Sequence, residues 1–348
     1  MKKKNVPHLI SIIAVVILLI LAVASESMPT AISLPTAKND AVSVSWDEGK
    51  TFGVTRITND GLPKNWVRVS PDGTKLLYTE ASKAGNWQIV YLRDANNPAK
   101  TPLVAEIAFS PSWYEDSNRF LYVSYENGTG RLVRSNTSGG GKTYISRAPI
   151  GQNGDDLPSI KNGLIVFTAI DGKQLKIATV KENGTETTFI GEGRSPSWHP
   201  KEDKILFIRS GSDPNQQQNN AYYYGGDIFE LDVKSGQFTQ IYSDPQFYCY
   251  EPSYSPDGKR ILFTKGTFVR TTGTRITTNI LGSNKKTISD ETIKRHIYIM
   301  NADGTNVSPI SSGNATVISP SWGQNGEIFC LVSIGNGFEI YKMRIRGD

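Results

Sequence analysis

The chain has 348 residues, of which 20% are charged and 38% hydrophobic, a composition that suits a globular protein and excludes a disordered or fibrous one. Its formal charge is +5, but three of those charges are Lys2, Lys3 and Lys4 of an acid-free leader. The remaining +2 excludes the basic footprint of a nucleic-acid binder.

The N-terminus reads M-K-K-K-N-V-P-H, followed by an uncharged apolar run over residues 9–21 and then A-V-A-S at 22–25. A basic start, an apolar core and an A-x-A site predict a secretory signal peptide over residues 1–24, with Ser25 as the mature N-terminus. The rival reading is an uncleaved anchor, for which residues 9–24 fall short of the roughly 20 apolar residues of a full span. Both readings place the rest of the chain outside the cytoplasm: periplasmic, extracellular or membrane-anchored facing out. Residues 25–45 are rich in Ser, Pro, Thr and Ala and predict a flexible linker. V-S-V-S-W at 42–46 has strand character but no evident partner.

A phrase then recurs. It is sharpest at 251–265, E-P-S-Y-S-P-D-G-K-R-I-L-F-T-K, where Pro-Asp-Gly is strong turn chemistry and Ile-Leu-Phe suits a buried strand. Copies begin at Val67, Pro111, Pro158, Pro196, Pro252 and Pro320, which are 44, 47, 38, 56 and 68 residues apart. Each is followed by a second alternating run, such as D-I-F-E-L-D-V at 227–233 or H-I-Y-I-M at 296–300. In five copies a Gly- or Asn-bearing turn and a weaker run complete the unit. Each unit therefore predicts four short strands, A to D, and repetition at this period predicts a β-propeller.

The sixth copy has no D run before Asp348, while V-T-R-I-T-N-D-G at 54–61 resembles a D strand with no A, B or C ahead of it. Pairing the two would remove both open sheet edges. The expected fold is all-β: a six-bladed propeller of four-stranded antiparallel blades over residues 46–348, closed by an N-terminal strand that completes the last blade.

The phrase P-S-[WY]-S-P-D-G-K-x-[IL]-x-[FY], followed by D-I-[YF]-x-[ML]-[DN]-x-x-[GS], resembles the TolB-type (PD40, WD40-like) propeller repeat across nearly all of residues 50–348. The resemblance implies the six-bladed propeller. TolB also carries an α/β domain ahead of its propeller, for which too few residues precede Lys50 here. Docking to an envelope lipoprotein is therefore not carried over.

Chemistry-bearing motifs are scarce. The sequence contains no G-x-S-x-G, H-E-x-x-H, Walker A or C-x-x-C pattern. Of three histidines, His8 lies in the leader, His199 replaces a turn-leading Ser and His296 opens a strand. Two are too few for the histidine cluster of a sugar-lyase propeller, although carboxylates could substitute. Asp72 and Asp257 sit at A–B turns and read as turn formers rather than calcium ligands. Cys249 and Cys330 fall in neighbouring repeats, where export would permit a disulfide; two buried thiols is the competing reading. There are five N-x-S/T triplets, among them N-G-T at 127 and 183; they would accept glycans in a host with that machinery, but two are plain hairpin turns, and the turn reading leads. No cofactor is implied, a structural channel ion such as calcium being the alternative.

In an antiparallel meander the A–B and C–D turns share one end of the blade, and the B–C loops and D–A crossovers share the other. Both large insertions, 211–226 and 266–295, are B–C loops, and insertions on one face mark a binding face. The first contains Tyr222, Tyr223 and Tyr224. The second contains Arg270 and Arg275 and alternates in a way that predicts a hairpin extending its blade. Its net charge over Arg270, Arg275, Lys285, Lys286, Asp290, Glu291, Lys294 and Arg295 is +4. Residues just ahead of each strand A start from the same end and add Asn65, Trp66, Asp155, Asp156, Arg194, Tyr250 and Glu251 as candidate binding residues. The expected function is a non-enzymatic protein- or peptide-binding module at the cell envelope, monomeric, with a protein or glycan partner. The alternative is a carbohydrate-binding or polysaccharide-lyase-like propeller.

Overall fold

A computed structural model describes residues 42–348, apart from 82–86, 90, 95–98, 105–106, 173, 210–224, 280–281, 336 and 348, and gives the backbone alone over 87–93 and 267–293. The leader and most of the linker, residues 1–41, lie outside the described residues. So do Tyr222, Tyr223 and Tyr224. Among the described residues no helix is long and apolar enough to cross a membrane.

The fold is all-β and built from antiparallel meanders. In the third repeat Asp155–Lys161, Leu164–Asp171, Gln174–Lys181 and Thr188–Glu192 pair in that order. The second, fourth and fifth repeats do the same from Ala108–Trp113, Arg194–Trp198 and Tyr248–Tyr254. In the sixth repeat Val317–Trp322, Glu327–Ile334 and Gly337–Ile345 are followed by Thr51–Arg56 from the N-terminal end.

The expectation of six four-stranded blades needs correction: among the described residues the structure has five four-stranded blades, not six. The first repeat forms a sheet of five strands. Its third run is described as Trp87–Ile89 and Tyr91–Asp94, both of which pair with Lys75–Ala81, the register differing by one residue between them, before Thr101–Pro102 follows; residue 90 lies outside the described residues.

The first strands of successive repeats pack against one another in order, from Lys64–Val69 against Ala108–Trp113 round to Val317–Trp322 against Lys64–Val69. Apolar clusters fill the wedges between sheets. One joins Leu262, Ile297 and Ile299 of repeat five to Ile328, Cys330 and Met343 of repeat six; another joins Leu76 and Tyr78 of repeat one to Phe329 and Leu331. The repeated Pro-Ser-Trp phrase supplies polar seams. Ser159 Oγ accepts the Trp198 N–H at 3.3 Å, and Ser321 Oγ accepts the Val69 N–H at 3.1 Å. Trp113 Nε1 donates to the Arg68 carbonyl at 3.0 Å, and Trp322 Nε1 to the Ser253 carbonyl at 3.3 Å.

Thr51 pairs with Ile345 and Arg56 with Tyr341, so an N-terminal strand is the outer strand of the sixth-repeat blade. The orphan V-S-V-S-W also finds its place. Val44–Trp46 pairs antiparallel with Ser311–Gly313 of repeat five, and Trp46 packs 6.1 Å from Tyr341 of repeat six. The N-terminal segment thus straddles two repeats. Cys249 and Cys330 are free, buried thiols.

Candidate functional site at the start of the inner strands

Each innermost strand carries the same irregularity. In repeat three Asp156 pairs with Thr168 and Ser159 with Val166, so Leu157 and Pro158 together oppose Phe167. Equivalent shifts occur between Asn65 and Arg68, Phe109 and Ser112, Arg194 and Ser197, Tyr250 and Ser253, and Ile318 and Ser321. These are β-bulges, which bend a strand and re-aim its side chains. The first bulged residue is left-handed in every case: Trp66, Ser110, Leu157, Ser195, Glu251 and Ser319 have φ between 49° and 53°. Sixfold recurrence makes the bulge part of the fold rather than of one site.

The candidate residues fall on this device. Trp66 and Glu251 occupy the left-handed position; Asn65, Asp156, Arg194 and Tyr250 stand immediately before it, and Asp155 one residue earlier. They do not form one cluster. Trp66 packs edge-to-face on Phe109 at 5.5 Å, and Phe109 on Tyr125 at 5.4 Å. Asp156 Oδ1 accepts Ser110 Oγ at 2.6 Å and the Leu157 N–H at 2.8 Å; burial nevertheless raises its pKa. Asp155 is buried and accepts N–H bonds from Ile150 and Gly151, yet burial outweighs them and lifts its carboxyl to about 6. Both carboxylates press on Tyr125, whose hydroxyl is pushed up by burial and by their charge.

A cationic half lies in the next two repeats. Arg194 donates to the Gly225 carbonyl, and burial lowers its pKa to about 10, with Arg295 acting in the same direction. The Arg295 guanidinium covers the Tyr250 ring at 3.6 Å. Further round, Glu251 Oε2 accepts the Ser319 N–H at 2.8 Å, and Arg68 Nη1 donates to Ser319 Oγ at 2.8 Å. Sequence reading missed Arg68, which takes the place of the repeat's Ser, and counted Arg295 only toward the charge of the insertion. The register Lys265↔His296, Gly266↔Arg295 puts Arg295 where the insertion leaves the blade, a position legible only once strands B and C were aligned.

That insertion is a hairpin. Arg260–Asn279 and Gly282–Asn301 pair without interruption out to Asn279↔Gly282. Arg270 stands opposite Glu291, and Arg275 opposite Lys286.

The other singled-out residues serve turns. Asp72 accepts from Ser70 and Thr74, and Asp257 from Ser255 and Lys259. His199 Nδ1 accepts the N–H groups of Lys201 and Glu202 at 3.1 and 2.8 Å. Its ring lies 4.4 Å from Tyr254, and burial lowers its pKa. Among the described residues no three His, Cys, Asp or Glu side chains converge as a metal site.

No family model matches the chain, and no curated protein matches it. Solved structures do. A TolB-type protein of Agrobacterium tumefaciens is similar over 86% of this chain and 99% of its own, with 14% identity and a TM-score of 0.56. An oligogalacturonate lyase of Vibrio parahaemolyticus is similar over 87% and 97%, with 13% identity and a TM-score of 0.55. A gluconolactonase of Xanthomonas campestris follows at 84% and 89%, with 9% identity and a TM-score of 0.54. At these identities the likeness establishes the fold, a TolB-like β-propeller, and no activity.

Proposed function

We propose that this protein is an exported, non-enzymatic interaction module of the cell envelope, and that its hairpin docks a protein partner. The leader pattern of residues 1–24 supports export. The observation that carries the docking reading is the hairpin itself. Strand Tyr248–Tyr254 stops pairing at Gly266, and Ser308–Pro309 reaches only Tyr298 and Ile299. From Thr267↔Lys294 outward the two strands have only each other among the described residues. At about 3.4 Å per residue the free ribbon reaches about 40 Å beyond the blade. A lone two-stranded ribbon is marginally stable in water and exposes two unpaired edges. A partner with a free edge or face would relieve that exposure.

The test replaces residues 267–294 with an Asn-Gly turn and compares the parent and armless proteins in cross-linking capture from an envelope fraction. A partner held by the parent and lost by the armless form is the expected result. Equal capture by both would sink the docking role. The alternative, a carbohydrate-directed propeller, predicts glycan-array binding that survives removal of the arm.

A further inference from the structure

His199 takes the turn-leading position that Ser70 and Ser255 hold in repeats one and five, and it bonds differently there. Each serine hydroxyl donates to the turn aspartate and accepts one N–H, from Lys75 or Arg260. His199 Nδ1 instead accepts two, from Lys201 at 3.1 Å and Glu202 at 2.8 Å. A neutral imidazole that accepts at Nδ1 carries its proton on Nε2. That edge of the ring lies against repeat five: a Cβ on Gly258 would meet Cε1 and Nε2 at 2.6 Å, and the ring bonds to the Gly258 backbone. The residue is 5% exposed, and the Tyr254 ring of repeat five packs on it at 4.4 Å. One nitrogen therefore serves the turn of repeat four, and the other faces the turn of repeat five.

Protonation is incompatible with this arrangement. An imidazolium donates at both nitrogens and accepts at neither, so a proton on Nδ1 would face two N–H donors. The charged groups around the ring do not remove the conflict. Glu202 and Glu230 favour the imidazolium and Lys204 opposes it, while burial outweighs the carboxylates and lowers the pKa of the ring. Both carboxylates already have partners. Lys204 Nζ lies 2.9 Å from Glu202 and 3.5 Å from Glu230, and Glu230 also accepts from the Tyr254 hydroxyl. On the Gly258 side, Asp257 is held by Ser255 and the Lys259 N–H. On the far side of the turn, Lys161 of repeat three donates to the Glu202 carbonyl and lies 3.2 Å from Asp203.

We infer that His199 is an acid-sensitive latch: protonation of its ring releases the turn of repeat four and, with it, the seam to repeat five. These are the two repeats that carry the insertions 211–226 and 266–295, so acid loosens the junction between them. A histidine that charges less readily in the fold contributes stability that is present above its ordinary value of about 6.5 and lost as pH falls through the lower folded value. The latch does not rest on the docking reading, and its test uses no partner.

An NMR titration of the full chain from about pH 7.5 to about pH 4.5, with histidine-ring and amide nitrogens labelled, supplies the first measurement. At the upper end the His199 proton should sit on Nε2, and the ring should titrate with a midpoint below about 6.5. Once corrected for the intrinsic effect of pH, exchange of the Lys201 and Glu202 amides should quicken at least about tenfold through that midpoint. The Asn118 and Arg119 amides are the control: Asp116 holds them in repeat two, and its carboxyl lies below the usual range. The second measurement is thermal unfolding of His199→Asn, which keeps an acceptor for the turn and cannot titrate. Its melting temperature should gain at least about 2 °C on the parent's between the same two pH values. A proton on Nδ1 at the upper pH, a ring that stays neutral throughout, or Lys201 and Glu202 amides that remain as protected as the controls overturns the latch. So does a parallel loss of stability by the parent and His199→Asn. The titration needs only the parent, so it decides the question even if the variant fails to fold.

Discussion

Replacing Lys64 with Met should destabilise the propeller by about 3–5 kcal/mol, the range found when one member of a buried ion pair is removed. The estimate follows from where this lysine sits. Its side chain is 0% exposed, and Nζ donates to Asp60 and to the Leu62 carbonyl at 3.1 Å. Glu339 Oε2 lies 3.6 Å away and Glu80 Oε2 3.8 Å away, and their side chains are 1% and 5% exposed. Glu339 also accepts from Thr58 and, at 2.8 Å, from the Gly61 N–H, while Arg56 approaches it at 3.2 Å. Lys100 covers the other Glu80 oxygen at 2.6 Å. Lys64 is therefore the cation shared by the first repeat, the last repeat and the N-terminal segment that joins them. Methionine fills the same volume and leaves two buried carboxylates under-compensated. At about 2–4 °C per kcal/mol for a large domain, the melting temperature at pH 7 should fall by about 10 °C. Acidity supplies the second readout. Burial raises the pKa of Glu80 even with Lys64 and Lys100 opposing it. A carboxyl raised in the fold binds a proton that the unfolded chain does not, so its destabilising effect lessens as pH falls through the folded value. Without Lys64 that effect is larger, and the deficit relative to the parent should shrink between pH 7 and pH 5. Thermal unfolding followed by circular dichroism at both pH values measures this. A variant within 2 °C of the parent at pH 7, or a deficit that widens on acidification, would refute the clasp.

Two further outcomes are expected. Gly258 has φ +80° and its Cβ would meet the His199 ring at 2.6 Å, so Gly258→Ala should cost more than the about 1–2 kcal/mol of a left-handed alanine. A double-mutant cycle with His199→Ala should recover the excess, and strict additivity would show that the turn does not rest on the ring. Cys249 and Cys330 are 0% exposed, and burial raises both pKa values. Both should resist a thiol reagent in the native protein and react in urea, whereas a single species that gains two thiols only after reduction would refute the free-thiol state.

The sequence revealed the repeats because turn chemistry is local: Asp72 and Asp257 close their A–B turns with bonds two residues away. The hairpin was legible for the same reason, as an alternating run flanked by strands already assigned. What could not be read was non-local. The partner of Val44–Trp46 is Ser311–Gly313, and no pattern within either stretch specifies the other. Lys64, in K-N-W-V-R-V, looks like a solvent-facing residue and is buried only because Glu80 and Glu339 arrive from elsewhere. At the candidate site, position was legible and grouping was not. Asp156 turns to Ser110 of the preceding repeat, whereas Arg194 turns to Gly225 within its own, so two opposite charges in adjacent repeats are held by different partners.

The left-handed bulge was hidden by a different cause. Proline normally pushes the residue before it toward extended backbone, yet Ser110, Leu157, Ser195, Glu251 and Ser319 all precede Pro and all have positive φ. Each such residue costs about 1–2 kcal/mol of local strain, and such strain persists only where surrounding structure over-determines it. The seams between repeats do so. Immediately beyond the bulges lie the Ser159 Oγ, Ser321 Oγ, Trp113 and Trp322 bonds to neighbouring inner strands. Pro-Ser-Trp and the bulge are therefore one device. The repeated residues hold the next repeat, which accounts for their recurrence in the chain. The first bulged residue is fixed in backbone but free in side chain, and it varies from Trp66 to Ser110, Leu157 and Glu251 without altering φ by more than a few degrees. A scaffold that constrains conformation and leaves chemistry open at the start of its inner strands can hold an acidic pair in repeat three and Arg194 in repeat four without any change of fold.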